Sequence, residues 1–332
     1  MSYHRIISNE FVADLKQGIL SSLLARVKED DTLMLALRGG YINIYYRGGN
    51  LLKIEKKENY KASFDTNYCR GDFPVPIQLP DFTSSIPISN KHDADKLVDA
   101  VPALKHAMDR YFVTQKHKPE REFQQLVARE NNSSTISNET EYFIVDIEVA
   151  GVLPHARFDM LAVRWMRNER KKQGSLVPVL IEMKYGSKAL KGTSGLDAHF
   201  NDADALLNDK EQWEDLRKGM EEQVNQLDEL GLLNFNRSAS VKRLVIDPEA
   251  RPELIFLFAN YNPASENLAN ILNTLDAQVA TDKKGYNILF STSCFSGYGM
   301  HRACMLHLPE FKAMVEKLYL KSRERIADIP AQ

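Results

Sequence analysis

Apolar residues first recur at helical spacing at Phe11, Leu15, Ile19, Leu20, Leu23 and Leu24, running on to about Val27. A period of three to four puts them on one face, Ser8-Asn9-Glu10 supplies a cap ahead of them, and the charges from Lys28 to Asp31 close the segment, so the pattern predicts a helix. The texture then changes. Short runs rich in β-branched and aromatic residues follow at 33–37, 41–46, 51–55 and roughly 60–64, separated by the turn signals Arg38-Gly39-Gly40 and Arg47-Gly48-Gly49-Asn50. Such runs predict a small antiparallel meander. The proline- and serine-bearing segment 73–90 reads as a surface connector.

Helical spacing returns near 94–115 and again at 120–131, after Lys118-Pro119, and a polar loop follows. Three strand-like runs come next, at 142–149, 157–167 and 176–185, with the basic loop Glu169-Arg170-Lys171-Lys172 between the second and third. A long helical stretch covers about 199–233. Strand 253–259, helix 265–275 and strand 286–291 follow, and an amphipathic helix opens at Pro309 and carries Phe311, Met314, Val315, Leu318 and Tyr319. Consecutive strands followed by strands alternating with helices predict an α/β protein with α+β elaboration, its mixed sheet flanked by helices. The expected division is an N-terminal helix and β-meander region over 1–90 and a second domain over 91–332.

Composition narrows the class. The 332 residues allow one large domain or two ordinary ones, and 43% hydrophobic with 27% charged is ordinary for a globular chain. A formal net charge of -2 does not mark the whole chain as a nucleic-acid binder, although a local patch would serve. Three cysteines, Cys69, Cys294 and Cys304, match no metal knuckle and no disulfide framework. No run approaches the ~18 apolar residues of a membrane span, and the N-terminus lacks a signal-peptide pattern. A cytoplasmic protein with no membrane partner is the expectation.

Charges inside the strand runs change the picture most. Ile181-Glu182-Met183-Lys184-Tyr185-Gly186 ends an apolar run, and period two puts Glu182 and Lys184 on one face with Met183 on the other. Asp159, between Phe158 and Met160, is a third charge in an apolar run. Pairing of the two strands as a hairpin would bring Asp159 near Glu182. Two adjacent carboxylates held ionised need a cation, and oxygen ligands suit Mg²⁺ or Mn²⁺. Lys184 would orient a bound water or touch a phosphate as a point charge. The bland alternative is a structural ion pair at a sheet edge.

Phe158-Asp159 followed by Ile181-Glu182-Met183-Lys184 resembles the PD-(D/E)XK, or restriction-endonuclease-like, nuclease superfamily. The resemblance covers the middle and C-terminal part of the chain and not the meander; the family's proline before the aspartate is replaced by Phe158. It implies a restriction-endonuclease-like core and a metal-dependent nuclease, with DNA the expected substrate. It implies that Asp159 and Glu182 bind Mg²⁺ or Mn²⁺, that the carbonyl of Met183 adds a ligand, and that Lys184 is the catalytic lysine. Many members carry a glutamate on the preceding helix, for which Glu122 is the best match, and many pair two sites as a homodimer. Some carry a glutamine on the helix that follows; Gln223 is the loose counterpart here, with a solvent-facing position the plainer expectation.

Beyond the motif, Lys188 and Lys191 stand in a glycine-rich loop just past Lys184, placed to contact phosphates. Arg164, Arg167, Arg170, Lys171 and Lys172 in the hairpin add a second basic group to this phosphate-contacting patch, with a solvated hairpin tip the alternative for the cluster Arg170 to Lys172, which lies at the opposite end of the hairpin from Lys184. His199 is a candidate substrate contact at the start of the next helix. Three function classes follow: a nuclease, a catalytically inactive nucleic-acid- or protein-binding module on the same fold, and a phosphoesterase acting on small phosphoesters.

Overall fold

The computed structural model describes residues 3–70, 79–114, 119–153, 157–171, 175–186, 195–260, 266–275, 284–293, 300, 302 and 305–327. Two compact units divide the chain. One comprises His4–Ser134 and Glu222–Asn234; the other comprises Tyr3, Thr135–Glu221 and the chain from Phe235 on. The expected boundary near residue 90 falls inside the first unit.

In the N-terminal unit, helices α1 (Asn9–Lys16) and α2 (Ser21–Glu29) precede strands β1 (Leu33–Leu37), β2 (Tyr41–Tyr46), β3 (Gly49–Lys56), β4 (Tyr60–Ser63) and β5 (Ile86–Ile88), and helices α3 (Lys91–Thr114) and α4 (Pro119–Asn132) follow. The single helix expected over 8–27 is therefore two. The chain turns at Gly18, whose N–H donates to the carbonyls of Ala13 and Asp14 and whose added Cβ would lie 2.7 Å from Cα of Asp14. The strands form an antiparallel meander in chain order. Alternation places Ile42, Ile44, Leu52, Ile54 and Ala62 in its core. β5 was unforeseen: its Ile-Pro-Ile sequence tolerates proline because it is the terminal strand of the sheet, pairing only with β4 among the described residues.

The β2–β3 hairpin turns on Arg47 and Gly48, both at positive φ (49° and 73°), as a two-residue turn of the type matched to strand twist requires. Glycine is needed at 48 for a second reason. A Cβ there would lie 2.5 Å from the carbonyl carbon of Arg121 on α4. The turn is also pinned by polar contacts: Gly48 N–H donates to Gln125 Oε1 at 2.8 Å, and Arg47 reaches Asp109 at 2.8 Å and Glu122 at 3.0 Å.

The C-terminal unit is built on β6 (Tyr142–Ala150), β7 (Arg157–Arg164), β8 (Ser175–Tyr185), α5 (Leu196–Asn208), the first part of α6 (Lys210–Glu229), β9 (Val245–Ile246), β10 (Glu253–Ala259), α7 (Glu266–Leu275), β11 (Asn287–Ser293) and α8 (Leu308–Ala327). The helical stretch expected over 199–233 is broken at Asp209, whose carboxylate accepts the N–H groups of Glu211 and Gln212 and so caps a new helix. The sheet runs β11–β10–β8–β7–β6, with short β9 beside the start of β8. β6, β7 and β8 pair antiparallel, and β8, β10 and β11 pair parallel, so the sheet is mixed, as expected. β10 is buried along its whole length. Phe256 and Phe258 of β10 pack with Phe290 of β11, and Phe311 of α8 stacks on Phe258 and Phe290. Among the described residues no helix is long and apolar enough to cross a membrane.

Candidate active site

β8 lies between β7 and β10, and its last residues have different neighbours on its two sides. On one side the parallel ladder with β10 continues to Tyr185↔Ala259, and Gly186 N–H adds a bond to the Ala259 carbonyl at 3.0 Å. Gly186 then takes φ 66° and ends the strand. On the other side the antiparallel ladder with β7 stops at Met160↔Ile181. One residue further along that register, Asp159 faces Glu182. There the side chain takes over from the backbone: Asp159 Oδ2 accepts the N–H of Met183 at 2.8 Å. The carbonyl of a strand residue leaves on the same side as its N–H, so Met183 turns both groups toward the Asp159 side.

Period two does what the sequence pattern predicts for Glu182 and Lys184. Both are buried, Glu182 at 0% and Lys184 at 3% exposed, and Asp159 is 7% exposed. Lys184 Nζ lies 3.8 Å from Glu182 Oε2 and 3.9 Å from Asp159 Oδ2. The β10 register sets Phe256 beside Glu182 and Phe258 beside Lys184. Burial, with the Glu182 charge second, pushes the Asp159 carboxyl up to about 8, against the pull of Lys184. Burial and the Glu182 charge together outweigh the attraction of Lys184 here.

α5 brings in a fourth group. His199, in its first turns, places Nδ1 2.8 Å from Glu182 Oε2, with the side chain 16% exposed. His199, expected as a substrate contact, lies on the Glu182 carboxylate. Among the described residues no three His, Cys, Asp or Glu side chains converge as a ready-made metal cage. A carboxylate pair is nevertheless what a Mg²⁺ ion, which retains several of its waters, requires of a protein.

Other expected site residues fall elsewhere. Lys188 and Lys191 lie outside the described residues, as do Lys172, Cys294 and Cys304. Glu122 belongs to α4 of the N-terminal unit, where its carboxylate clamps Arg47 of the β2–β3 turn. Gln223 is fully buried, not solvent-facing. The helical period explains this: it lies three residues after Met220 and four before Leu227, on the buried face of α6. Within the second basic group, Arg164 donates to Glu253 at 3.1 Å, and Glu253 also accepts from Tyr142 at 2.9 Å. Arg170 is 3% exposed and not a solvated hairpin tip. Arg164 therefore serves the sheet and is no phosphate contact of the patch.

Comparison with protein-family models, with curated proteins and with solved structures finds no match to this chain.

Proposed function

We propose that the protein is a metal-dependent nuclease that hydrolyses phosphodiester bonds of DNA, working from Asp159, Glu182 and Lys184. The observation that carries this reading is the buried carboxylate pair at the point where the β7–β8 ladder ends, with Asp159 pushed up to about 8 by burial first and by the Glu182 charge second. That pair and the all-oxygen donor set fit Mg²⁺ or Mn²⁺, held by Asp159, Glu182 and the carbonyl of Met183. Bound there, the ion would acidify a coordinated water and neutralise charge on the phosphate.

The chain's own residues supply the rest. Asp159 keeps one oxygen on the Met183 N–H, which fixes the carboxylate's direction. Lys184, 3.8 and 3.9 Å from the two carboxylates, is placed to hold a water for in-line attack or to meet a phosphate oxygen as a point charge. His199, with Nδ1 2.8 Å from Glu182 Oε2, is placed to orient that carboxylate. Burial of Asp159, Glu182 and Lys184 strengthens the charge interactions among them. The strand order with a β6–β8 antiparallel unit followed by parallel β10 and β11 supports a restriction-endonuclease-like core.

The test is a panel of single-stranded, double-stranded and branched DNA with Mg²⁺ or Mn²⁺. Cleavage that stops with EDTA and is lost in Asp159→Ala and Lys184→Ala supports the reading; equal cleavage by the variants overturns it. A second reading, a non-catalytic binding module, is favoured by one observation: Lys184 lies within ion-pairing distance of both carboxylates, so the cluster partly neutralises itself. It predicts no divalent-dependent cleavage and unchanged DNA binding in Glu182→Gln.

A further inference from the structure

At the other end of β7 from Asp159, a cavity of about 280 Å³ opens on the surface of the C-terminal unit. Its lining residues are Arg167, Arg170 and Lys171 from the turn after β7, Arg237, and the polar Asn138, Asn236 and Ser238. Among the described residues no carboxylate lines it. Asn236 N–H donates to Asn138 Oδ1 at 2.6 Å and Ser238 N–H to the Arg170 carbonyl at 2.9 Å, so the walls are tied to one another.

Arg170 is the unusual member. Its guanidinium packs over the rings of Phe143 and Trp165 and donates to the carbonyls of Asn138 at 2.9 Å and Trp165 at 3.0 Å, and to that of Thr140. Those acceptors are neutral. The Nε–H has no hydrogen-bond partner, and Arg170 makes no ion pair among the described residues. A buried guanidinium is ordinarily matched by a carboxylate. Burial first and the Arg167 charge second bring the guanidinium down to about 10, against the pull of Glu141. Arg167 and Lys171 are exposed and likewise make no ion pair among the described residues. Arg167, Arg170 and Lys171 thus gather at one concavity with no carboxylate among its described lining residues, and a bound anion would offset their mutual repulsion.

We propose that this pocket binds a phosphate group, held by Arg167, Lys171 and Arg237 at the rim and attracted by the buried charge of Arg170, whose Nη groups stay on their carbonyls. Planar guanidinium forks match phosphate oxygens, and the neighbouring asparagines and serine supply neutral hydrogen bonds. Roughly 17 Å of strand separates Asp159 from Arg164, so this is not the carboxylate site. The assignment does not rest on the nuclease reading.

The full chain tests it. Inorganic phosphate should raise the melting temperature saturably, beyond chloride at equal ionic strength. In the exposed double variant Arg167→Gln/Lys171→Gln the phosphate affinity should weaken about tenfold or more, while Lys61→Gln, on the N-terminal unit, leaves it unchanged. The double variant should also melt higher than wild type without phosphate, since it loses the repulsion; this keeps the test readable even if Arg170→Gln fails to fold. A dT oligomer lacking terminal phosphates that competes with phosphate at the pocket assigns the site to a nucleic-acid backbone, and absence of competition assigns it to free phosphate or a monoester. Equal effects of phosphate and chloride on wild type, or equal phosphate affinity in the double variant, would overturn the proposal.

Discussion

Asp159 accepts the backbone N–H of Met183 at 2.8 Å, one residue past the last ladder pair between β7 and β8. The contact holds a carboxylate at the end of an opened ladder, beside a second carboxylate that is fully buried. Its energetic sign separates a functional cluster from a structural ion pair. A folded-state carboxyl raised to about 8 holds a proton that the unfolded chain has released well below that pH. Its contribution to stability is fully present below the unfolded value near 4 and is lost as pH rises through about 8.

Asp159→Asn should therefore stabilise the metal-free protein at pH 8, because the amide keeps an oxygen for Met183 N–H and sheds the charge. The same variant should flatten the loss of stability between pH 5 and 8. Denaturant melts of both proteins at the two pH values check this. A lower stability for Asp159→Asn at pH 8 would mean that the Lys184 attraction outweighs burial and Glu182 repulsion, as in a structural pair.

Lys184→Met removes the cation within 4 Å of both carboxylates. Breaking a buried pair in this way costs about 3–5 kcal/mol. The loss should be smallest at pH 5, where Asp159 is protonated, and Mn²⁺ should restore more stability to this variant than to wild type. Urea melts with and without Mn²⁺ give both quantities.

His199 acts through Glu182, so its substitution should tune the site without emptying it. His199→Ala should weaken Mn²⁺ binding about tenfold to a hundredfold, the usual effect of removing an orienting partner. His199→Asn, whose amide nitrogen reaches a position near Nδ1, should recover part of it. Calorimetric Mn²⁺ titration of the three proteins distinguishes this from a purely packing role, in which the two variants would bind alike.

Gly48→Ala tests the N-terminal unit. The left-handed backbone and the 2.5 Å approach to Arg121 both oppose a side chain, so the variant should lose about 2 kcal/mol or more. Glu122→Gln, which weakens one of the two arms of the Arg47 clamp, should cost about 1 kcal/mol or less, since Arg47 keeps Asp109. Equal losses in thermal melts would mean that the clamp, and not the backbone approach, holds the turn.

The sites that were legible in the sequence are those governed by short-range periodicity. Period two was enough to put Glu182 and Lys184 on one face, and an apolar context was enough to mark Asp159 as out of place. The meander followed from its turn residues, because Arg47-Gly48 encodes its own hairpin. Gln223 was also readable, since its spacing from Met220 and Leu227 is helical, but its polarity suggested the surface. What periodicity does not carry is the partner across space. Nothing local to Arg170 says that its turn folds back over Phe143 and Trp165, or that Asn236 and Arg237, some sixty-five residues on, close a pocket around it. The Glu122–Arg47 clamp and the short β5 strand depend in the same way on long-range pairing.

The carboxylate pair can be tested without knowing the substrate. Cleavage assays fail if the wrong nucleic acid is offered, whereas metal binding reports on Asp159 and Glu182 alone. Electron paramagnetic resonance of Mn²⁺ titrated into the folded full chain at pH 7.5 should show saturable binding to wild type and its loss in Asp159→Asn. Wild type that leaves Mn²⁺ free in solution, or an Asp159→Asn variant that binds it equally well, would contradict the account.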